Sequence, residues 1–178
     1  MSYYVFVIDN EINGKGECPC QAENLICIEV EKQVYDNLDH YIYKNGKIVL
    51  DPNYDKKQLA KAKKDKYQEA LYKANDYINS SALYRFNAEN TIEATDGNIA
   101  KFTAYTVGFS AGALETVYWT THEDNLIELN AQDVQTILTG LGEIQSEIWN
   151  VQFIAYKNAI QNASTVEEVE SIEVVYGI

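Results

Sequence analysis

The spacing of apolar and polar positions along this chain switches between a period of two and a period near 3.6, and the switches divide it into parts. Tyr3 to Ile8 alternates aromatic and branched apolar side chains, Asn13-Gly14 and Gly16 supply turn chemistry, and Leu25 to Val30 predicts a second strand. Tyr41-Ile42-Tyr43 and Lys47 to Leu50 flank Asn45-Gly46, the pair that best accepts the positive φ angles of a type I′ turn, so a hairpin is predicted there. Together these strands form a small antiparallel N-terminal β domain over residues 1–52, closed by Asp51-Pro52-Asn53, where Pro ends the strand and Asp or Asn can cap a helix. From Tyr54 to Asn79 the chain turns to Lys, Ala, Gln, Leu and Glu without Gly or Pro, which predicts one long connecting helix over 53–80. Its apolar residues Tyr67, Leu71, Ala74 and Ile78 are spaced 4-3-4, but the N-terminal half carries little more than Leu59, Ala60 and Ala62 among lysines. That half is expected to project as a linker or stalk, or to lie in a partner's groove.

A C-terminal α+β domain is predicted over 81–178. Leu83 to Ala94 reads as extended, Thr95-Asp96-Gly97 as a turn or cap, and Ile99 to Ala113 is ambiguous between helix and strand because its apolar residues fit neither period cleanly. Val117 to Thr120 and Leu126 to Leu129 flank Thr121 to Asn125 like a hairpin, and Asn130 can cap a helix starting at Ala131, with Asp133 favourable in its first turn. In that long amphipathic helix Val134, Ile137, Leu141, Ile144, Ile148, Val151 and Ala155 keep a 3-4 spacing, and Leu138, Trp149, Phe153 and Ile154 widen the stripe. So broad a face suits burial inside a domain, with an oligomer seam as the alternative. Ser164-Thr165-Val166-Glu167-Glu168 then offers a capping box for a short final helix ending near Ile172. The fold class expected is therefore α+β.

Composition narrows what such a chain can do. Its 178 residues, 46% of them apolar, can bury one respectable core or two small ones, which excludes a disordered chain. The net charge is -13, and residues 115–178 hold eleven acidic side chains against the single Lys157, a half that repels phosphate backbones. Between Asp55 and Lys73 the bias reverses, with seven lysines against Asp55, Asp65 and Glu69; this is expected to be a solvated helix face, able to meet an acidic surface, so no nucleic acid partner is assigned. No window has the apolar length to span a bilayer, and Met1-Ser2-Tyr3 leads directly into a strand, so no membrane insertion and synthesis into the cytoplasm are expected. Cys18, Cys20 and Cys27 suit no standard disulfide framework and are expected to be reduced; zinc would need a fourth ligand such as His40.

Three motifs touch on chemistry. Gly108-Phe109-Ser110-Ala111-Gly112 matches the G-x-S-x-G elbow, in which a serine on a tight strand-to-helix turn exposes its hydroxyl to a base. The one downstream histidine, His122, lies in an expected turn, and the strand-helix alternation of a hydrolase sheet is missing, so serine hydrolysis is only an alternative. His122-Glu123-Asp124 reads as an exposed acidic turn rather than a metal site, because neighbouring turn residues point apart. Asp51, Asn53 and Asp55 begin like a calcium loop, but Lys56 stands where Gly is needed and Ala62 where a bidentate Glu is needed. No catalytic, cofactor-binding or metal residue is assigned. The candidate interface residues are Trp119, Asn125, Tyr67, Leu71 and Ile78, with core packing as the competing role of the Trp119 indole.

With those residues in view, the segment from about Arg85 to Ile172 resembles an uncharacterised domain family of bacteriophage and prophage tail-fibre loci. The pattern is Trp119-Thr120-Thr121, Asp124-Asn125, Ile127, Leu129, Asp133-Val134 and Ile137-Leu138, then Tyr156-Lys157, Ile160, Ala163, Thr165 and Glu168-Val169. Tyr41 to Val49, with Pro52 and Tyr54 after it, is similar to the small sheet that precedes a helix in tail-fibre and fibre-assembly proteins. The resemblance implies a non-enzymatic tail protein with other tail or tail-fibre proteins as partners. It would be made in the bacterial host cytoplasm and, as a fibre component, would be a homotrimer on the virion tail; as an assembly chaperone or adaptor it need not trimerise. A carbohydrate- or receptor-binding module of a fibre is a further alternative.

Overall fold

Among the described residues nine strands and six α-helices form in the order that their local sequence dictates, and the chain is α+β. The structure, a computed structural model, describes residues 2–178; Met1, expected at the head of the first strand, lies outside the described residues. The chain divides into two compact units, Met1–Ala60 and Lys61–Ile178, and the break falls inside the long helix rather than at either end of it.

In the N-terminal unit β1 (Tyr3–Ile8) is the centre of a three-stranded antiparallel sheet, between β2 (Glu11–Gly16) and β3 (Ile26–Val30). The expected turn at Asn13-Gly14 is corrected: the chain reverses earlier, at Asp9-Asn10, where φ is +50° and +66°, and Ile8 faces Glu11. Asp and Asn reach this left-handed region without glycine because their short side chains bond locally, a weaker sequence signal than Asn-Gly. Asn13 instead becomes the extra residue of a bulge, since Phe6 pairs with Gly14 and Val7 with Ile12. A short α1 (Lys32–Asp36) follows β3, and Tyr35 packs on Tyr3 at 4.9 Å between ring centroids. The hairpin of β4 (Tyr41–Lys44) and β5 (Lys47–Leu50) turns at Asn45-Gly46 with φ of +52° and +81°, as the residue pair predicts. Asp51 is buried beyond it, where its carboxylate accepts the Asn53 N–H at 2.9 Å and the Lys57 ammonium at 2.7 Å; these bonds hold its carboxyl below the usual range and start α2 (Tyr54–Ser80).

In the C-terminal unit the second half of α2 buries Ala70, Ala74 and Ile78, while no residue of its first sixteen is fully buried. Leu83 to Ala94 is a hairpin, β6 (Leu83–Arg85) with β7 (Thr91–Glu93), rather than one extended run. The ambiguous stretch is helical: α3 (Asp96–Ser110) is capped by Thr95, whose hydroxyl accepts the Asn98 N–H at 3.1 Å. A second hairpin, β8 (Val117–Thr120) with β9 (Leu126–Leu129), leads into α4 (Ala131–Ser146), whose first turn is closed by a reciprocal capping box between Asn130 and Asp133. One core gathers Ile92, Phe102, Trp119, Leu129, Ile137 and Leu141 from these elements. Gly140 of α4 lets Tyr84 of β6 lie against the helix backbone; a methyl there would overlap the Tyr84 ring.

The predicted seam holds through Val134, Ile137, Leu141, Ile144 and Ile148, all buried, and then shifts. Val151 is 54% exposed and Ala155 is exposed; the next buried residue is Phe153, five beyond Ile148. A π-helical turn over Glu147–Gln152, in which the Phe153 N–H bonds the Ile148 carbonyl, inserts one residue before α5 (Phe153–Asn162) and rotates the face by that amount. The second half of the seam is therefore Phe153, Tyr156 and Ile160, packed with Ala70, Ala74 and Ile78. Each fully buried side chain of this kind contributes about 1.5–3 kcal/mol, enough to outweigh the poorer hydrogen-bond geometry of one π turn. Finally α6 (Val166–Glu170) is capped as expected by Thr165, although the Glu168 carboxylate returns to the Ser164 N–H rather than to that of Thr165.

Candidate functional site

Strand alternation decides which residues of the β8–β9 hairpin meet solvent. Val117 and Trp119 point inward and are each 8% exposed, so Tyr118 and Thr120 point outward. The Trp119 ring rests on Phe102 at 4.6 Å and Tyr105 at 6.4 Å, with the Lys101 ammonium 5.4 Å from its centroid. Its Nε1–H is buried without a hydrogen-bond partner, the single such side-chain atom among the described residues. Trp119, a candidate interface residue, is thus a core residue, and the competing role is the correct one. The register pairs Tyr118 with Glu128 and Thr120 with Leu126, which sets Tyr118 and Leu126 diagonally on the open face, 62% and 70% exposed. Sequence reasoning passed over these two, although counting outward by twos from the indole would have found them.

The turn between the strands is a clasp on the neighbouring β6–β7 hairpin. Glu123 receives the Thr91 N–H at 2.8 Å and the Thr91 hydroxyl at 2.5 Å, and these donors hold its carboxyl down at about 2. The His122 N–H reaches the Thr91 carbonyl at 3.0 Å, and its Nδ1 lies 3.1 Å from a Glu93 carboxylate oxygen. Asn125, the second candidate interface residue, has its side-chain amide committed to Asn90 Oδ1 at 3.1 Å, while Asn90 donates to Asn87 at 3.0 Å. Asp124 supplies the positive φ, +61°, that closes the turn. The Thr-Thr-His-Glu-Asp-Asn run therefore ties two hairpins together through acceptors and donors that no local pattern reveals. Among the described residues no three His, Cys, Asp or Glu side chains gather as metal ligands.

The remaining candidates fall elsewhere. Tyr67 packs edge-on against Phe153 at 5.6 Å, Leu71 lies beside the same cluster and Ile78 is 2% exposed, so these three expected interface residues are spent inside the C-terminal unit. Ser110 is the last residue of α3, not a strand-to-helix elbow, and its hydroxyl donates to the Thr106 carbonyl at 2.9 Å, the local pattern of a helical serine. Gly112, at φ +68°, ends that helix. Cys18 and Cys20 are exposed and Cys27 half-buried, all three as free thiols. Of the lysine run, Lys66 and Lys73 both clamp Glu69 at 2.8 Å and hold its carboxyl below the usual range, and Lys63 donates to the Gln161 carbonyl at 2.8 Å.

Tyr84 borders two shallow depressions beside α4. One, of about 330 Å³, is lined by Gln132, Gln135, Thr136, Thr139 and Glu143; the other, of about 360 Å³, by Leu83, Arg85, Ile144 and Glu147. No helix among the described residues is long and apolar enough to cross a membrane. Compared with protein-family models, with curated proteins and with solved structures, the chain finds no match.

Proposed function

We propose that this chain is a non-enzymatic protein of a phage or prophage tail that works through protein–protein contact, as a tail-fibre assembly chaperone or adaptor rather than as a length of fibre shaft. The tail setting rests on the sequence resemblance over 85–172. The contact role rests on one observation: the hairpin that opens that pattern turns Trp119 inward and leaves Tyr118 and Leu126 open on a two-stranded face. Apolar side chains on an open sheet face are what an extended or flat partner surface covers. The chain carries no internal repeats of the kind a shaft is built from, which favours the adaptor.

The test has two arms. Absolute mass by light scattering reads the copy number: a monomer or dimer fits an adaptor, whereas a stable trimer refutes it in favour of a fibre component. Co-expression with a phage tail-fibre protein from the same genome is expected to give a complex that Tyr118→Ser with Leu126→Ser abolishes while leaving the melting temperature unchanged. A complex untouched by that pair of changes would refute the assigned face.

A second reading, a carbohydrate- or receptor-binding module, is favoured by the aromatic edge of Tyr84 among amide, hydroxyl and carboxylate side chains of α4. Screening against a glycan array, with Tyr84→Ala as the control, tests it; no signal that Tyr84→Ala removes would end it.

A further inference from the structure

Residues Ile172–Ile178 run extended after α6 and join no sheet, yet their backbone is held as a strand would be held. The Tyr156 hydroxyl donates to the Val175 carbonyl at 2.6 Å and accepts the Val175 N–H at 3.0 Å. Two residues on, the Gln152 amide repeats the pattern, donating to the Gly177 carbonyl at 2.7 Å and accepting the Gly177 N–H at 3.3 Å. The Tyr77 hydroxyl accepts the Ile178 N–H at 3.0 Å, and the Lys73 ammonium reaches the Val174 carbonyl at 3.1 Å. Pairing both groups of alternate residues is what a neighbouring antiparallel strand does. Here side chains of α2, the π turn and α5 do it.

The intervening side chains go the other way. Val174 is 2% exposed and Tyr176 8%, in a groove whose α2 wall is Ala70, Ala74 and Ile78 and whose opposite wall is Ile148, Phe153 and Ile160. The alanines leave room for a tyrosine ring, whose hydroxyl donates to the Ala70 carbonyl at 3.0 Å. The π turn belongs to this design, because its extra residue brings Gln152 and Phe153 to the groove in place of Val151 and Ala155. Backbone read by fixed donors and acceptors, with alternate side chains read by pockets, is the logic of strand recognition.

We infer that this groove is a recognition site for an extended peptide with apolar side chains two residues apart, that Ile172–Ile178 is its resident ligand, and that a second copy of this chain supplies the same segment in trans when copies assemble. A second copy carries the one segment known to satisfy every contact described, so exchange needs no new chemistry. The resident segment follows α6, a helix of five residues capped by one threonine. In cis the segment acts at an effective concentration in the millimolar range, so exchange in trans belongs to crowded assemblies rather than dilute solution. The inference goes beyond the tail-protein reading and does not depend on it.

The test uses the full chain carrying Tyr176→Ala, which weakens the resident segment and leaves the groove intact, and a fluorescent peptide of residues 172–178. Saturable one-to-one binding is expected, at least about 10-fold weaker to the wild-type chain, whose own segment competes, and lost when the peptide carries alanine at the tyrosine position. Adding Gln152→Ala to the groove should weaken binding about 10-fold, the loss of one bidentate backbone contact. If Tyr176→Ala does not fold, the wild-type chain titrated with excess peptide tests the same groove, read as loss of hydrogen-exchange protection at its own Gly177 amide. Mixing the Tyr176→Ala chain with a Gln152→Ala chain then asks for a one-to-one dimer by light scattering that neither forms alone. Absence of peptide binding overturns the site; binding without the mixed dimer overturns the second copy as occupant and assigns the groove to a different protein bearing such a segment.

Discussion

Replacing Trp119 by alanine separates the inward and outward faces of the β8–β9 hairpin. An indole buried to this extent removes roughly 200 Å² from water, worth about 5 kcal/mol at ~25 cal/mol per Å², and truncations of this kind cost about 3–5 kcal/mol once partial collapse is allowed for. One opposing effect can be read from the structure: the Trp119 Nε1–H is buried and unpaired, a penalty of about 1–3 kcal/mol that truncation relieves. The expected loss therefore sits near the lower end, about 3 kcal/mol. For a unit of this size that lowers the melting temperature by roughly 10–15 °C. Tyr118→Ala, one residue earlier and 62% exposed, should stay within about 0.5 kcal/mol of the parent. Trp119→Phe, which keeps a ring and drops the orphan N–H, should fall between the two. The assay is urea unfolding followed by circular dichroism, with an unchanged slope as the sign that only stability has moved. If Trp119→Ala unfolds with the parent while Tyr118→Ala unfolds early, the hairpin presents the opposite face and the interface assignment built on Tyr118 and Leu126 fails with it.

Other expectations follow from single contacts. Glu123 is held at about 2 by the Thr91 N–H and hydroxyl, below its unfolded value of about 4.3, so the unfolded chain protonates first; its contribution is full above about pH 4.3 and is lost as pH falls towards 2. Glu123→Gln should flatten the acid limb of melting temperature against pH, and an unchanged limb would show that the clasp carries no stability. Gly46→Ala meets no neighbouring atom but places a Cβ at φ +81°, so calorimetry should find a loss of about 1–2 kcal/mol with the sheet intact. Deleting Val151 removes the extra residue and places Phe153 four residues after Ile148, the same face of a regular α-helix, so Phe153 should keep its pocket and calorimetry should find a loss below about 1 kcal/mol; a loss of about 3–5 kcal/mol, the cost of emptying that pocket, would refute the reading of the π turn as one inserted residue. A serine-reactive phosphonate should leave the chain unlabelled, whereas labelling abolished by Ser110→Ala would restore the hydrolase alternative.

Elements set by contacts near in sequence were legible in it. Asn45-Gly46 prescribes its turn because φ preferences belong to the residues themselves, and Asn130 with Asp133, and Thr165 with Glu168, announce helix starts because cap and N–H are three residues apart. The Asp9-Asn10 turn was missed for the same physical reason in reverse, its preference for positive φ being weaker than that of a glycine pair. The two faces of the β8–β9 hairpin were also within reach of a period-two count, once the indole was known to point inward.

Where partners are far apart along the chain, only tertiary structure decided the outcome. The 3-4 spacing from Val134 to Ala155 describes an unbroken helix, but the groove walled by Ala70, Ala74 and Ile78 is filled by Phe153 and Tyr176, and burying those rings outweighs one turn of regular α geometry. Trp119 reads equally as anchor or core until Phe102 and Tyr105, on a helix whose very existence was ambiguous in sequence, close around it. Tyr67, Leu71 and Ile78 form an apolar stripe that any partner surface would suit; that they meet α5 and the extended segment 172–178 follows from packing, not from pattern. By itself the sequence determined most helices and strands, α3 and β2 apart, and which of their faces are apolar, because those depend on neighbours within a few residues. What each face covers depends on side chains far away along the chain, and that information exists only in the fold.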